Sequence, residues 1–343
     1  MQQILCFGEL LLRLSPENGW PGRGGMFSYV GGAELNVAMA LAGWQMPAAL
    51  GTALPDNPVS QMLREYLDAA HVGTDKILSK EGRIGTYYLT PGADLKSAGV
   101  VYDRANSSFA LLTSRDIDFD SYLNNIRHLH LTAISPAVSA SAASLCLDLV
   151  KAAAQRQIPV SLDLNYRSKL WKYGKEPIDV MPEIARYASF IMGNIWAAGQ
   201  MLGVQPAPMA DQTMDPQRLA AFARDSAERT AAAFPDCKKI GYTFRFNAPG
   251  EDAAVRYFGT LYQDKTLYCS AQKDYSGITD RAGSGDCYMA GLLYGQYSGL
   301  SGQDTVDFAT AAATGKFYEN GDHTRQSIQM IEKRMASLKS SIL

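Results

Sequence analysis

Short apolar runs alternate with longer amphipathic stretches along this chain, and no other feature constrains its fold as much. ILCFG (4–8), AALGTAL (48–54), HLHLTAI (128–134), PVSLDLN (159–165), FIMGN (190–194) and KIGYTF (239–244) read as strands. Between them, PVSQMLREYLDAAHV (58–72) repeats apolar residues at helical spacing, with Val59, Met62, Leu63, Tyr66, Leu67 and Ala70 on one face. Asn57 suits its N-cap, Pro58 its first position and Gly73 its stop. SAASLCLDLVKAAAQRQ (141–157) repeats the pattern just before PVSLDLN. Strand–helix–strand order of this kind predicts an α/β fold: a central, mostly parallel sheet with helices on both faces.

Two segments break the rhythm. LLRLSPENGWPGRGGMFSYVGG (11–32) and TYYLTPGADLKSAGVVYDR (86–104) have strand-like ends around Gly/Pro-rich turns. They are expected to project from the sheet edge as a small β-hairpin lid. No linker divides the 343 residues, so a single domain over 1–343 carrying that lid is expected. At 47% hydrophobic and 19% charged, the chain can bury a large core.

Function classes fall away on charge and motif. A net charge of -2 without any Lys/Arg run argues against a nucleic-acid partner. No apolar run approaches the ~18 residues that span a bilayer, and MQQILCFGELLLRL lacks the basic start of a signal peptide. Five cysteines, at 6, 146, 237, 269 and 287, form no C-x-x-C pair, so reduced thiols in the cytoplasm are expected. No P-loop, G-x-G-x-x-G, H-E-x-x-H or G-x-S-x-G occurs. His128 and His130 share a strand face without further ligands nearby, and are read as sheet histidines, with no protein-built metal site.

One stretch carries chemistry. In DRAGSGDCYMAGLLYG (280–295), Gly283, Ser284 and Gly285 feed a helix whose first turn holds Asp286. Free N–H groups at a helix start bind anions, and glycines let a phosphate approach the backbone. Asp286 would oppose a phosphate there, unless it must take a proton from a hydroxyl attacking that phosphate. A simple capping role is the plainer alternative. Far upstream, YVGGAELNVAMALAGW (29–44) places Gly31 and Gly32 before a second helix, with Glu34 and Asn36 at its mouth.

The two segments together resemble the ribokinase-like sugar kinases, or PfkB family, whose signatures are a Gly-Gly turn before a helical Asn and a D-x-x-G-x-G-D anion hole. DRAGSGD matches the latter from Asp280 to Asp286. VVYDRANSSFALL (100–112), HLHLTAISPAVS (128–139) and SLDLNYRSKLW (161–171) look like the 2-keto-3-deoxygluconate kinases within that family. The resemblance implies an ATP- and Mg²⁺-dependent kinase of a sugar acid, phosphorylating the 6-hydroxyl of 2-keto-3-deoxygluconate. Asp286 would be the base and residues 283–285 the anion hole. Gly32 and Asn36 would hold sugar hydroxyls, Tyr87 and Tyr102 would line the lid side, and Arg104 and Arg167 would take the carboxylate, whose geometry a guanidinium fork matches. Asn165, Asn194, Thr243, Arg245, Gly283 and Gly285 would face the nucleotide. The chain departs from the family at Ala197, where N-x-x-E has Glu, and in KKIGYTFRFNAPGE (238–251) before the nucleotide loop. Two alternatives stand beside this reading: a kinase of a neutral sugar such as fructose or ribose, and a non-catalytic sugar-binding regulator. The lid's open β-face could also pair two subunits into a homodimer.

Overall fold

Along β1 (Gln3–Phe7), Ile4 and Cys6 join one apolar cluster and Leu5 and Phe7 the other, and all four are fully buried. β4 (Ala48–Leu54) repeats this, with Ala49 and Ala53 on one side and Ala48, Leu50 and Leu54 on the other. A sheet apolar on both faces must be covered on both. The computed structural model, which describes residues 2–16, 24–89, 99–205, 215–248 and 254–339, has helices on each side.

The remaining strands of this sheet are β5 (Ile77–Ser79), β8 (Ile126–Thr132), β9 (Val160–Asp163), β10 (Phe190–Gly193), β11 (Lys239–Asn247), β12 (Val255–Gln263), β13 (Thr266–Cys269) and β14 (Lys273–Tyr275). Their order is β13-β12-β11-β10-β9-β8-β1-β4-β5, with β14 also on β12, ten strands in all. Pairing is parallel from β5 to β11 and antiparallel beyond. A second sheet of four strands joins two antiparallel hairpins: β2 (Leu11–Pro16) with β3 (Met26–Gly31), and β6 (Gly85–Leu89) with β7 (Val100–Asp103). β2 and β6 lie parallel at its centre. These are the two segments that interrupt the strand–helix rhythm; their turns, 17–23 and 90–98, lie outside the described residues.

The helix Pro58–Ala69 corrects two expectations. Asn57 does cap it, its side chain accepting from Ser60 N, with Pro58 at the start. Gly73 does not end it: the left-handed residue is His71 (φ 59°), and Gly73 instead bridges to Ala49. Nor does the whole predicted face turn inward. Leu63 and Leu67 are buried, while Val59, Met62 and Tyr66 are 47%, 67% and 37% exposed, because the buried stripe is narrower than the apolar one. His128 and His130 are buried sheet histidines, each hydrogen-bonded to Ser161 Oγ, and burial holds both well below the usual histidine range.

Candidate active site

The carboxyl ends of β1, β8, β9 and β10 deliver Glu9, Thr132, Asp163 and Asn194 to one edge of the large sheet, where open α/β sheets hold ligands. Two adjoining cavities lie there. The wider, about 820 Å³, is lined by Asp163, Asn194, Trp196, Thr243, Arg245 and Gly285 among others. The narrower, about 480 Å³, is lined by Glu9, Gly32, Tyr87, Tyr102, Arg104 and Asp322 among others. Asn165, Arg167 and Asp286 line both and so mark the junction.

The glycines at the junction have identifiable reasons. Gly283 is left-handed (φ 74°) and caps the helix Ser284–Ser298, and a Cβ there would stand 1.6 Å from the Asp322 carbonyl oxygen. Gly32 (φ 137°) caps the helix Ala33–Gly43, and its Cβ would stand 2.3 Å from the Glu9 carbonyl oxygen. Gly285 is different: a Cβ would meet no protein atom within 4 Å. Packing does not require this glycine, so the space beside it in the wider cavity is free for an anion at the helix start.

Asp286, in the first turn of that helix, is 7% exposed. Asn36 Nδ2 donates to its Oδ2 at 2.7 Å, joining signatures 250 positions apart, and Asn165 Nδ2 reaches Oδ1 at 3.5 Å. Burial pushes this carboxyl up to about 7, helped by Glu34 and Asp322 and opposed by the Asn36 hydrogen bond and by Arg167. A base titrating there is matched to work near neutral pH.

Every predicted sugar-side residue lines the narrower cavity: Gly32, Asn36, Tyr87, Tyr102, Arg104, Arg167 and Asp286. Tyr87 and Tyr102 are a cross-strand pair, ring centroids 6.3 Å apart. Arg104 is buried and already ion-paired, Nε to Glu9 Oε2 at 2.5 Å. Arg167 is half-buried, with Nη1 donating to the Tyr166 carbonyl at 3.1 Å. Every predicted nucleotide-side residue lines the wider cavity: Asn165, Asn194, Thr243, Arg245, Gly283 and Gly285, with Ser284 beside them. Two of these have structural duties as well. Asn194 Oδ1 accepts from Ala197 N at 2.9 Å, capping the helix Ile195–Leu202, and Ser284 Oγ donates to the Arg281 carbonyl.

Four residues carry more than their sequence neighbourhood revealed. Glu34 is a fully buried anchor, accepting from Thr132 N, Thr132 Oγ1 and Ser135 Oγ at 3.0, 2.8 and 2.7 Å. Asp280 accepts from Arg13 Nη1 at 2.7 Å and from Ala282 N at 3.0 Å, so the motif's first aspartate ties down the loop. Asp322 accepts from the Tyr87 hydroxyl and lines the narrower cavity. Glu9 pairs Arg104. GELLL and ENGDHT match none of the motifs that flag the other residues. Among the described residues, Glu9 Oε1, Asn36 Oδ1 and Asp322 Oδ2 are buried without hydrogen-bond partners, and all three residues line that cavity.

A carboxyl pushed up to about 7 beside open space at a helix start is an arrangement that can move a phosphoryl group onto a hydroxyl. The molecule is a carbohydrate kinase with a ribokinase-like fold. Residues 1–321 match the model for pfkB family carbohydrate kinases, and the chain belongs to that family. It is 25% identical over 330 residues to the 2-dehydro-3-deoxygalactonokinase of Haloferax volcanii, covering 93% of this chain and 92% of that protein. It is likewise 25% identical over 302 residues to the 2-dehydro-3-deoxygluconokinase of Bacillus subtilis, covering 85% and 81%. The crystal structure of the Thermotoga maritima 2-dehydro-3-deoxygluconokinase superposes with a TM-score of 0.87 at 29% identity, covering 98% of this chain and 100% of that one.

Proposed function

We propose that this kinase transfers the γ-phosphoryl group of ATP to the 6-hydroxyl of 2-keto-3-deoxygluconate. The observation that carries the reading is the make-up of the narrower cavity. Three orphaned buried acceptors there call for a ligand rich in hydroxyls, since each costs about 1–3 kcal/mol if left unmet. Arg104 and Arg167 on the same walls call for a ligand that also bears a carboxylate. The names of the relatives point to the same keto-deoxy acids.

In this mechanism Asp286 takes the hydroxyl proton as the oxygen bonds to the γ-phosphorus and the bond to the β-phosphate oxygen breaks. Backbone N–H groups of 283–286 stabilise the transferring group. Asn36 holds the Asp286 carboxylate in place. When bound, Mg²⁺ neutralises phosphate charge, and it commonly needs only one or two protein carboxylates beside the phosphates. Asp163, the wider cavity's carboxylate besides Asp286, would hold it, and Asp163 suits that duty where Ala197 replaces the family's Glu.

One observation favours a neutral sugar instead. Arg104 is already paired with Glu9, and Glu34 and Asp322 add acidic walls. A panel of ADP-release assays separates the two readings. Fastest turnover is expected on 2-keto-3-deoxygluconate or its C4 epimer. Faster turnover on fructose or ribose would transfer the protein to the neutral-sugar reading, and no turnover on any sugar would leave only the regulator.

The four-stranded sheet acts in this reading as a lid on a single α/β domain, because Leu11, Tyr87 and Tyr102 reach the cavity from it. Closure would exclude water and limit idle ATP hydrolysis. Amide exchange in β2, β3, β6 and β7 should slow when saturating sugar is added; unchanged rates would reject the lid. Exposed Met26, Phe27 and Val101 on that sheet suit a homodimer contact, which a monomer in sedimentation at micromolar concentration would remove. A cytoplasmic setting accords with ATP as substrate and with five free cysteines; no helix among the described residues is long and apolar enough to cross a membrane.

A further inference from the structure

Lys316, the last residue of the helix Gly302–Lys316, is fully buried. The other two deeply buried cations, Arg13 and Arg104, each have a carboxylate oxygen within 2.7 Å. Lys316 has none within ion-pair distance among the described residues, and its ammonium's one hydrogen bond there is from Nζ to the Glu319 carbonyl at 2.9 Å. Burying an ammonium so sparsely partnered is costly, and stability alone gives no reason for it. Its position gives one. Thr279 N and Asp280 N donate to the Phe317 carbonyl at 2.8 and 3.1 Å, and Gly321 N donates to Asp280 Oδ2 at 3.3 Å. The Asp322 carbonyl then lies directly against Gly283. The turn closed by Lys316 therefore backs the loop at Thr279, Asp280 and Gly283.

We propose that Lys316 is a positioning residue for phosphoryl transfer, a built-in cation that locks segment 316–322 behind the anion hole. Its charge answers the buried Asp280 and Asp322, which face this turn together with Glu319, Cys287 and Arg13, and it sits at the negative end of its own helix. Burial pushes the ammonium's pKa down, and Asp280, Glu319 and Asp322 push it back up. Without the ammonium, the Glu319 carbonyl loses its partner, and Arg13 is left, among the described residues, as the one ion-paired cation of two buried carboxylates otherwise held by neutral donors. The Gly283 turn, which has no slack against Asp322, then shifts.

This inference rests on the kinase chemistry but not on which sugar is the substrate. In the full-length chain, Lys316→Ala and Lys316→Met are each expected to lower kcat by about 10- to 100-fold, the scale of a small misplacement of reacting groups. KM for the best sugar found for the wild type should change by a smaller factor than kcat, since Asp322 alone of segment 316–322 lines the narrower cavity. Ammonium or methylammonium chloride should restore Lys316→Ala saturably, where choline chloride at equal ionic strength should not. Lys316→Met, whose side chain fills the space, should not respond. Amide exchange over 279–286 should quicken in both variants, a reading that needs no substrate. Wild-type kcat in Lys316→Met, or unchanged exchange over 279–286, would overturn the proposal. So would a loss in folded Lys316→Ala that no small cation relieves. Wild-type inactivity on every keto-deoxy acid would count against the proposed substrate instead.

Discussion

Asp286→Asn is expected to lower turnover by on the order of 10²–10⁴-fold while making the protein more stable at pH 8. The first effect follows from losing the proposed base while the proposed anion hole stays intact. The second follows from the same burial that makes the base useful. Folding raises this carboxyl from 3.8 to about 7. A raised acid favours the folded state fully below its unfolded pKa, and that contribution is lost as pH climbs through about 7. At about 1.36 kcal/mol per pKa unit, the loss approaches about 4 kcal/mol by pH 8. Asparagine keeps an oxygen to accept from Asn36 and carries no charge to bury, so it escapes the loss. Denaturant melts should therefore show a gain of roughly 2–4 kcal/mol at pH 8 and almost none at pH 4. The wild type's kcat/KM should rise with pH through an apparent pKa near 7, a limb that any residual activity of the variant should lack. Near-normal turnover in folded Asp286→Asn would end the assignment of Asp286 as base. Lost activity without the pH-dependent gain would leave the base in place and refute the burial argument.

The parts legible in the sequence were those written locally. Periodicity marks β1, β4, β8, β9, β10 and β11, which are largely apolar runs, but not the parallel edge strand β5, only three residues long and partly exposed. Glycines that must turn left or admit a neighbour mark Gly32 and Gly283, and those two positions locate both helix starts. The antiparallel edge went unread: β12 and β13 meet at Asp264-Lys265, both at positive φ, without the Asn-Gly that usually advertises such a turn. Glu9 and Asp322 went unread for another reason. Their roles depend on partners 95 and 235 positions away, Arg104 and Tyr87, and on burial that no short window encodes. The pairing of Arg104 with Glu9 changes what the arginine can do, because a guanidinium with a resident carboxylate is held in place and partly neutralised. Arg167 touches both cavities and so serves the junction as well as the sugar.

These differences sharpen the test of substrate charge. Arg104→Ala is expected to raise KM for the keto-deoxy acid by about 10- to 150-fold, the equivalent of roughly 1.5–3 kcal/mol for a charge-assisted hydrogen bond. KM for ATP should hardly move, since Arg104 lines only the narrower cavity. Arg167→Ala should raise both constants and lower kcat, because that side chain borders both cavities and acts on the Asp286 carboxylate. Two causes could produce the Arg104 effect. The substrate loses a guanidinium, and Glu9 is left as an uncompensated buried carboxylate that repels an acid. Pairing Arg104→Ala with Glu9→Gln removes the second cause and leaves the first. A double variant still deficient on the acid, with a neutral analogue unaffected throughout, would assign Arg104 to the substrate carboxylate. Recovery in the double variant would make Arg104 the neutraliser of Glu9. Equal losses on acid and neutral sugars would show that neither arginine reads the carboxylate, and the neutral-sugar reading would then fit the acidic walls better.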